Sequence, residues 1–297
     1  MIVPISLISV QEFFALKDRL LLVFNFNLFS NFSVFPSKLF TGVAQRLTIF
    51  ISNYSIKQAI VASSYKKWLE TERSSLFENF KLQQLRKTNL SNSPIPKYSS
   101  NIEISIGEKT IGKPLSLYLT KGNKVVYYHR SPNNFIRSHN YLPFYKGAKG
   151  ENISKDHLKD IYLDSKDTAN SLVGVIMSSL FFWNFETCGN CRNLTYQDIY
   201  DFRIKIGTLL SNNFLLKTVE KLMNDTQANS IRKARNQKQT GLVEYDEFYI
   251  KQSKPIIDQI DCLLAQHYGF THEELDFIIN YDIKYRMGAD ALAEGEE

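Results

Sequence analysis

"FSVFPSKLFTGVAQRLTIFIS", Phe32 to Ser52, is the stretch on which the fold turns. Its second half, "RLTIFIS", is an apolar run of strand length, and Pro36 and Gly42 punctuate a loop ahead of it. Upstream, "MIVPISLIS" is strand-like from the first residues, and "QEFFALKDRLLLVFNF" sets Phe14, Leu16, Leu20 and Leu21 near helical spacing. Strand, helix and strand in this order point to a sheet of the α/β kind. A sheet that opens mid-pattern is expected to be the later part of a larger unit. No Gly-x-Gly-x-x-Gly stretch and no Walker-type loop is present, so no nucleotide cradle is visible.

Further along, residues 57–90 ("YKKWLETERSSLFENFKLQQLRK" at their centre) read as helical and charged. "NLSNSPIPKYSS" is a linker by its Ser, Asn and Pro content. Short strands are expected next, "IEISIG", "LSLYLTKG" and "KVVYYHRS", separated by Gly107, Gly112 and Gly122. Asp167 to Thr187 reads as one apolar helix, with Gly189 as its C′ residue. "SLVGVIMSSLFFWNF" inside it is shorter than the roughly 20 residues a bilayer requires, so a buried helix is expected. Thr195-x-x-Asp198 resembles a capping box with Asp in the acidic position. Near the end, Pro255 suits a first helical turn. Ile256, Ile260, Leu263 and Leu264 form an apolar face, and Gly269 terminates it. Thr271-x-x-Glu274 caps a last helix with Leu275, Ile278 and Ile279 inward.

The net charge of +6 is unevenly spread. From Thr271 onward eight acidic residues face Lys284 and Arg286, a balance of −6, which leaves +12 on residues 1–270. Between Lys81 and Gly150 there are twelve Lys and Arg but only Glu103 and Glu108, and "IRKARNQKQTG" at 231–241 adds a second basic cluster. Such a block among Tyr, Phe and Asn suits either a polyanion partner or a solvated basic surface. Three cysteines do not make a disulfide framework, and the apolar N-terminus lacks a basic leader and a cleavage site. A reducing cytoplasm and no membrane partner are the expectation.

Two of the cysteines lie in "TCGNCRNLTYQDI", Thr187 to Ile199. A structural zinc needs four ligands, and no second pair is evident; a redox Cys-x-x-Cys would open a helix, whereas this one follows a helix. No metal is expected, and a structural turn is. Arg192 and Asn193 stand just before a helix start, where free backbone N–H groups favour a phosphate and both side chains are able to read base edges.

In their order along the chain, "IVPISLIS", "FSVFPSKLFTGVAQRLTIFIS", "VVYYHRSPNNFIRSHNYLPFY", "LVGVIMSSLFFWNFETCGNCRNLTYQDIYDFRI" and "SKPIIDQIDCLLAQHYGFTHEELDFIINYDIKYRMG" resemble adenine-specific DNA methyltransferases of Type II restriction-modification systems, the fused methylase–endonuclease and TaqI-type enzymes. The resemblance covers nearly the whole chain and lies with the C-terminal part of those enzymes. It implies an α+β chain. Residues 1–56 would be the distal part of a Rossmann-like methyltransferase sheet, 57–215 a mixed α/β target-recognition domain, and 216–297 a helical closing segment. The implied partner is double-stranded DNA, and the implied chemistry of the complete enzyme is base flipping with methyl transfer from S-adenosylmethionine. The family's cofactor loop and Asn-Pro-Pro-Tyr motif belong to the missing first half. No catalytic or cofactor-binding residue is therefore assigned, and a separate chain carrying that half is a possible partner.

The family's base-stacking aromatic sits in a Phe-Pro-x-Lys setting, which assigns Phe35 here, with Phe40 second. Packing beneath the loop is the bland alternative. Lys38 and Arg46 would face phosphates or solvent. Arg130, Arg137 and Lys146, interleaved with Tyr127, Tyr128, Phe135, Tyr141 and Phe144, would line a DNA groove together with Arg192 and Asn193. A nucleic-acid-binding module without catalysis is the alternative function, and a protein-interaction subunit is a third.

Overall fold

The computed structural model describes residues 1–78, 80–86, 90–152, 157–237 and 241–288. They form two compact units. The first comprises the described residues of 1–108 with 184–191, and the second those of 109–183 and 192–288.

In the first unit β1 (Ile2–Pro4), α1 (Ser6–Ser9), α2 (Phe14–Val23), β2 (Phe26–Phe32), β3 (Leu47–Asn53), β4 (Ala59–Lys66) and β5 (Leu82–Gln84) precede α3 (Asn101–Lys109). The five strands make one sheet in the order β1-β3-β2-β4-β5, and only β2 and β4 run parallel. Phe29 and Phe50 stack at 4.8 Å on the face that packs with Ile5, Ile8 and Leu21. Phe32, of opposite parity, packs with Trp68 and Leu76 on the other. A buried amide locks the register: Thr48 Oγ1 donates to Asn31 Oδ1 (2.8 Å), and Asn31 Nδ2 donates to Ser63 O (3.0 Å). Asn31, Thr48 and Ser63 lie deep in the sheet, where an unpaired amide would cost about 1–3 kcal/mol.

Residues 57–90 were expected to be helical, but among those described there is no α-helix. β4 buries Ile60, Ala62 and Tyr65 as a central strand, a 3-10 turn covers Glu70–Ser75, and β5 follows. The sheet thus continues beyond residue 56 within the same unit. "IEISIG" differs in the opposite sense, since it lies in α3. Glu103 reaches back to Ser99 N (2.7 Å), and Ser100 Oγ accepts from Glu103 N (3.4 Å). This Ser-x-x-Glu start outweighs the alternating isoleucines.

In the second unit come β6 (Lys113–Pro114), β7 (Lys124–His129), β8 (Ser138–His139), β9 (Tyr145–Lys146) and β10 (Leu158–Leu163). α4 (Lys166–Met177), α5 (Ser179–Cys188), α6 (Tyr196–Tyr200), β11 (Arg203–Ile204), α7 (Asn213–Ala228), β12 (Ser230–Gln237) and β13 (Gly241–Phe248) follow. α8 (Lys254–Tyr268), α9 (His272–Ile279) and α10 (Ile283–Met287) close the chain. "LSLYLTKG" supplies a 3-10 turn at Leu115–Leu117 where a strand was expected. Three small sheets, β10-β7-β8, β11-β6 and β12-β13-β9, flank a helical core of α4, α7 and α8. Every residue of α4 from Ala169 to Met177 is buried. Among the described residues after 216, the regular structure is helical except for the β12–β13 hairpin.

The apolar stretch 167–187 is two helices broken at Ser178. Ser178 is extended (ψ 152°), and its Oγ caps Phe181 N at 3.0 Å. The carboxylate of Asp261, from α8, accepts from Ser179 N and Leu180 N, each at 3.1 Å. Among the described residues no single helix is long and apolar enough to cross a membrane. The capping boxes at Thr195 and Thr271, Pro255 in the first turn of α8, and left-handed Gly269 (φ 70°) all take the expected places. Thus the coarse α+β class holds.

Candidate nucleic-acid interface

The 33–46 loop leaves the end of β2 beside the end of β4, the shared carboxyl edge of the parallel pair. Ser33 N donates to Lys66 O (2.9 Å), and Ser33 Oγ accepts from Phe35 N (3.1 Å) while donating to Phe35 O (2.7 Å). Val34 and Ser37 point inward and are buried, and Leu39 packs against the Phe32–Trp68 cluster. Arg73 holds the loop from below, with Nη2 donating to Lys38 O (2.7 Å) and Nη1 to Leu39 O (3.3 Å). These anchors turn Phe35, Lys38 and Phe40 outward. Phe35 is 37% and Phe40 41% exposed, so neither ring packs under the loop.

Arg46 lies differently. It is half-buried, and its Nε is sealed from solvent without a hydrogen-bond partner. Its charge acts on the buried groups of Tyr65 and Cys191. Cys191 belongs to that core: burial pushes its thiol up to about 12, against the opposing pull of Lys97. Its Sγ lies 3.2 Å from Glu186 O. Cys191, at φ 58°, is the left-handed residue of the Cys-x-x-Cys loop, where Gly189 was expected to terminate the helix. A buried thiol at so high a pKa is a poor nucleophile and a poor ligand. All three cysteines are free, and the described residues contain no group of three His, Cys, Asp or Glu able to hold a metal.

In the second unit the backbone brings together two segments distant in sequence. Leu194 N donates to Arg130 O (2.7 Å), and Ser131 Oγ donates to Asn193 Oδ1 (3.4 Å). Arg130 and Arg192 are both exposed beside this junction, and Asn193 is half-buried. The mouth of α6 does not offer itself to phosphate. The helix has five residues, and the Asp198 carboxylate accepts from both Thr195 N (2.8 Å) and Thr195 Oγ1 (2.6 Å), which places negative charge there. Tyr196, 42% exposed, stands next in sequence, edge-on to Tyr128 at 5.9 Å with its hydroxyl donating to Asp160 O (3.0 Å). Nothing in the sequence marked Tyr196 or Arg73, because their partners lie 36 and 35 residues away.

Several of the other basic residues are paired with acids, among them Arg86 with Glu108 (2.8 Å) and Lys109 with Glu274 (2.6 Å). Lys146, exposed on β9, lies 3.9 Å from Glu244. Arg137 is half-buried among His129, His139 and Glu247; burial lowers its pKa and Glu247 opposes that. On the hairpin, Arg232 pairs with Asp246 (2.9 Å) and covers the Phe144 ring at 3.5 Å, and Lys233 pairs with Glu247 (2.5 Å). Lys238 of the same cluster lies outside the described residues. Of the aromatics interleaved with the basic block, Tyr128 and Phe135 are core, and Tyr127, Tyr141 and Phe144 are half-buried. No protein-family model matches the chain, and no curated protein matches it.

Proposed function

We propose that the chain is the DNA-recognition part of an adenine-specific methyltransferase, as its resemblance to the restriction-modification enzymes implies. One observation carries most of the reading. Phe35 and Phe40 stand exposed with Lys38 on a loop anchored at the carboxyl edge of the parallel strands, where open α/β sheets present their ligands. A flipped adenine has lost its stacking partners, and an exposed ring on a held loop restores part of that loss. Arg130, Arg192 and Asn193 give the second unit a compact contact for phosphate or a base edge. Arg46 and Arg137 are better suited to holding the interior than to reaching DNA.

Directly after β2 and β4, Ser33–Ser37 and Lys67–Leu69 offer no glycine to cradle S-adenosylmethionine, and Gly42 stands only later in the 33–46 loop. That same feature favours the alternative of a nucleic-acid-binding module without its own catalysis.

Duplex carrying 2-aminopurine at an extrahelical position tests stacking. Phe35→Ala should weaken binding of that probe by about 1–3 kcal/mol, Phe40→Ala by less, and neither should change affinity for plain duplex as strongly. Unchanged affinity in both variants refutes the loop assignment. Affinity for duplex should fall with salt, with a log–log slope of about −0.9 per phosphate neutralised. Calorimetry with S-adenosylmethionine should show no binding to this chain, and micromolar binding at unit stoichiometry would separate the chain from this reading.

A further inference from the structure

Two imidazoles meet in the second unit, His139 buried and His129 half-buried, and three of their four ring nitrogens are sealed from solvent with nothing to bond. His139, the last residue of β8, is fully buried, and neither ring nitrogen has a hydrogen-bond partner. His129, the last residue of β7, keeps Nε2 sealed from solvent and equally unbonded. The rings lie 5.7 Å apart at 71°, and the His139 ring is 4.4 Å from that of Phe248 at the end of β13. The His129 ring is 6.5 Å from the same phenylalanine. The pair therefore joins the β7–β8 ladder to the hairpin sheet through aromatic packing alone.

That packing tolerates neutral imidazole and rejects imidazolium. A charged ring has two N–H donors that need acceptors, and none faces either nitrogen of His139 or Nε2 of His129. The charges nearby add to the penalty. Arg137 acts on both rings and His157 on His129, each opposing protonation. Of the acids of β13, Glu247 pairs with Lys233 and acts on Arg137, Asp246 pairs with Arg232, and Glu244 lies 3.9 Å from Lys146. Tyr141, 5.2 Å from His139 ring to ring, has a hydroxyl as its polar group, and Asn170 of α4 is bonded to Asn140.

We propose that His129 and His139 form an acid-operated latch between the β7–β8 ladder and the β12–β13 hairpin, closed when both rings are neutral and released when they take up protons. The closed state holds both pKa values below the ordinary value of about 6.5, which an opened segment recovers. A base with a depressed pKa in the closed state favours closure fully above that ordinary value. The advantage is lost progressively as pH falls below it, because the open form binds more protons. One such histidine raises the open population about 10-fold between about pH 7.5 and about pH 5.5, and two raise it about 100-fold.

Hydrogen exchange of the full chain, corrected for intrinsic rates, reads this directly. The amide of His129, bonded to Arg137 O at 2.9 Å, and those near the Ser230–Phe248 end of the hairpin are the reporters. The parent should show the hundredfold rise, and His139→Phe and His129→Leu about tenfold each. The double variant should show none. Phenylalanine keeps the ring contact with Phe248 and removes two unbonded nitrogens, so that variant is expected to fold; the leucine variant tests the pair independently. A pH-independent parent overturns the proposal, as does a hundredfold rise that survives in either single variant.

Discussion

Replacing Arg286 by Met tests whether the buried charge network at the start of α5 holds the second unit together. Arg286 comes from α10, is almost fully buried, and lies over the rings of Phe135 (4.4 Å) and Phe182 (5.1 Å). Its Nε donates to Asn134 O and its Nη2 to Ser179 Oγ, both at 3.1 Å, and Nη1 donates to Tyr281 O at 3.4 Å. Asp261 sits on the other side of Ser179, buried and accepting from two helix N–H groups. Burial pushes its carboxyl up to about 6, against the pull of Ser179, Leu180 and Arg286. Methionine keeps the ring contacts and deletes the charge and three donors. Removing one member of a buried charge pair costs about 3–5 kcal/mol, since the other is left uncompensated, and a loss in that range is expected in urea unfolding at neutral pH.

The same variant carries a pH signature. Without the guanidinium, the folded pKa of Asp261 rises further above its unfolded value. An acid raised in this way contributes stability below its unfolded pKa and loses it as pH rises through the folded pKa. The deficit of Arg286→Met relative to the parent should therefore be largest near about pH 8 and shrink toward about pH 5. Taking the difference cancels the histidine contribution common to both proteins. A deficit below about 1 kcal/mol, or one that does not shrink on acidification, refutes the reasoning.

In α4, a Cβ on Gly174 would lie 2.5 Å from Val219 Cγ2 and 3.1 Å from Leu215 Cδ1. Gly174→Ala should thus destabilise by about 1–3 kcal/mol in urea unfolding, although alanine is the better helix former; a gain in stability would show that α4 and α7 are not in close contact. Cys191→Ser buries a hydroxyl in an apolar cluster and should cost about 1–2 kcal/mol, whereas half-buried Cys188→Ser should cost less, with DNA binding unchanged in both. Equal thermal midpoints for the two variants would contradict the placement of Cys191. Gly112 has φ 144°, and a Cβ there would stand 2.1 Å from Ile204 O; Gly112→Ala should separate β6 from β11 and lower the thermal midpoint, and an unchanged midpoint would refute that contact.

Local chemistry settled the element ends. Thr195, Thr271, Pro255 and Gly269 act within one turn of themselves, so their side chains or backbone angles show in the sequence. β3 was legible as an apolar run of strand length and α2 from Phe14, Leu20 and Leu21, although Leu16 of the expected face is exposed and Lys17 is buried in its place. What failed were the segments whose state depends on distant partners. Residues 59–66 are a strand because β2 offers a parallel edge lined by Asn31, which pairs with Ser63, and "IEISIG" is a helix because Glu103 reaches back to Ser99. At the candidate site, the Phe-Pro-x-Lys string marked the loop, and only the fold set Phe35 and Phe40 outward while drawing Arg46 and Arg137 inward. The basic clusters were countable from the sequence. Whether each charge is open to a polyanion depended on acids such as Asp246 and Glu247, 14 residues away across a hairpin, because charge is a property of one residue and its neutralisation is a property of two.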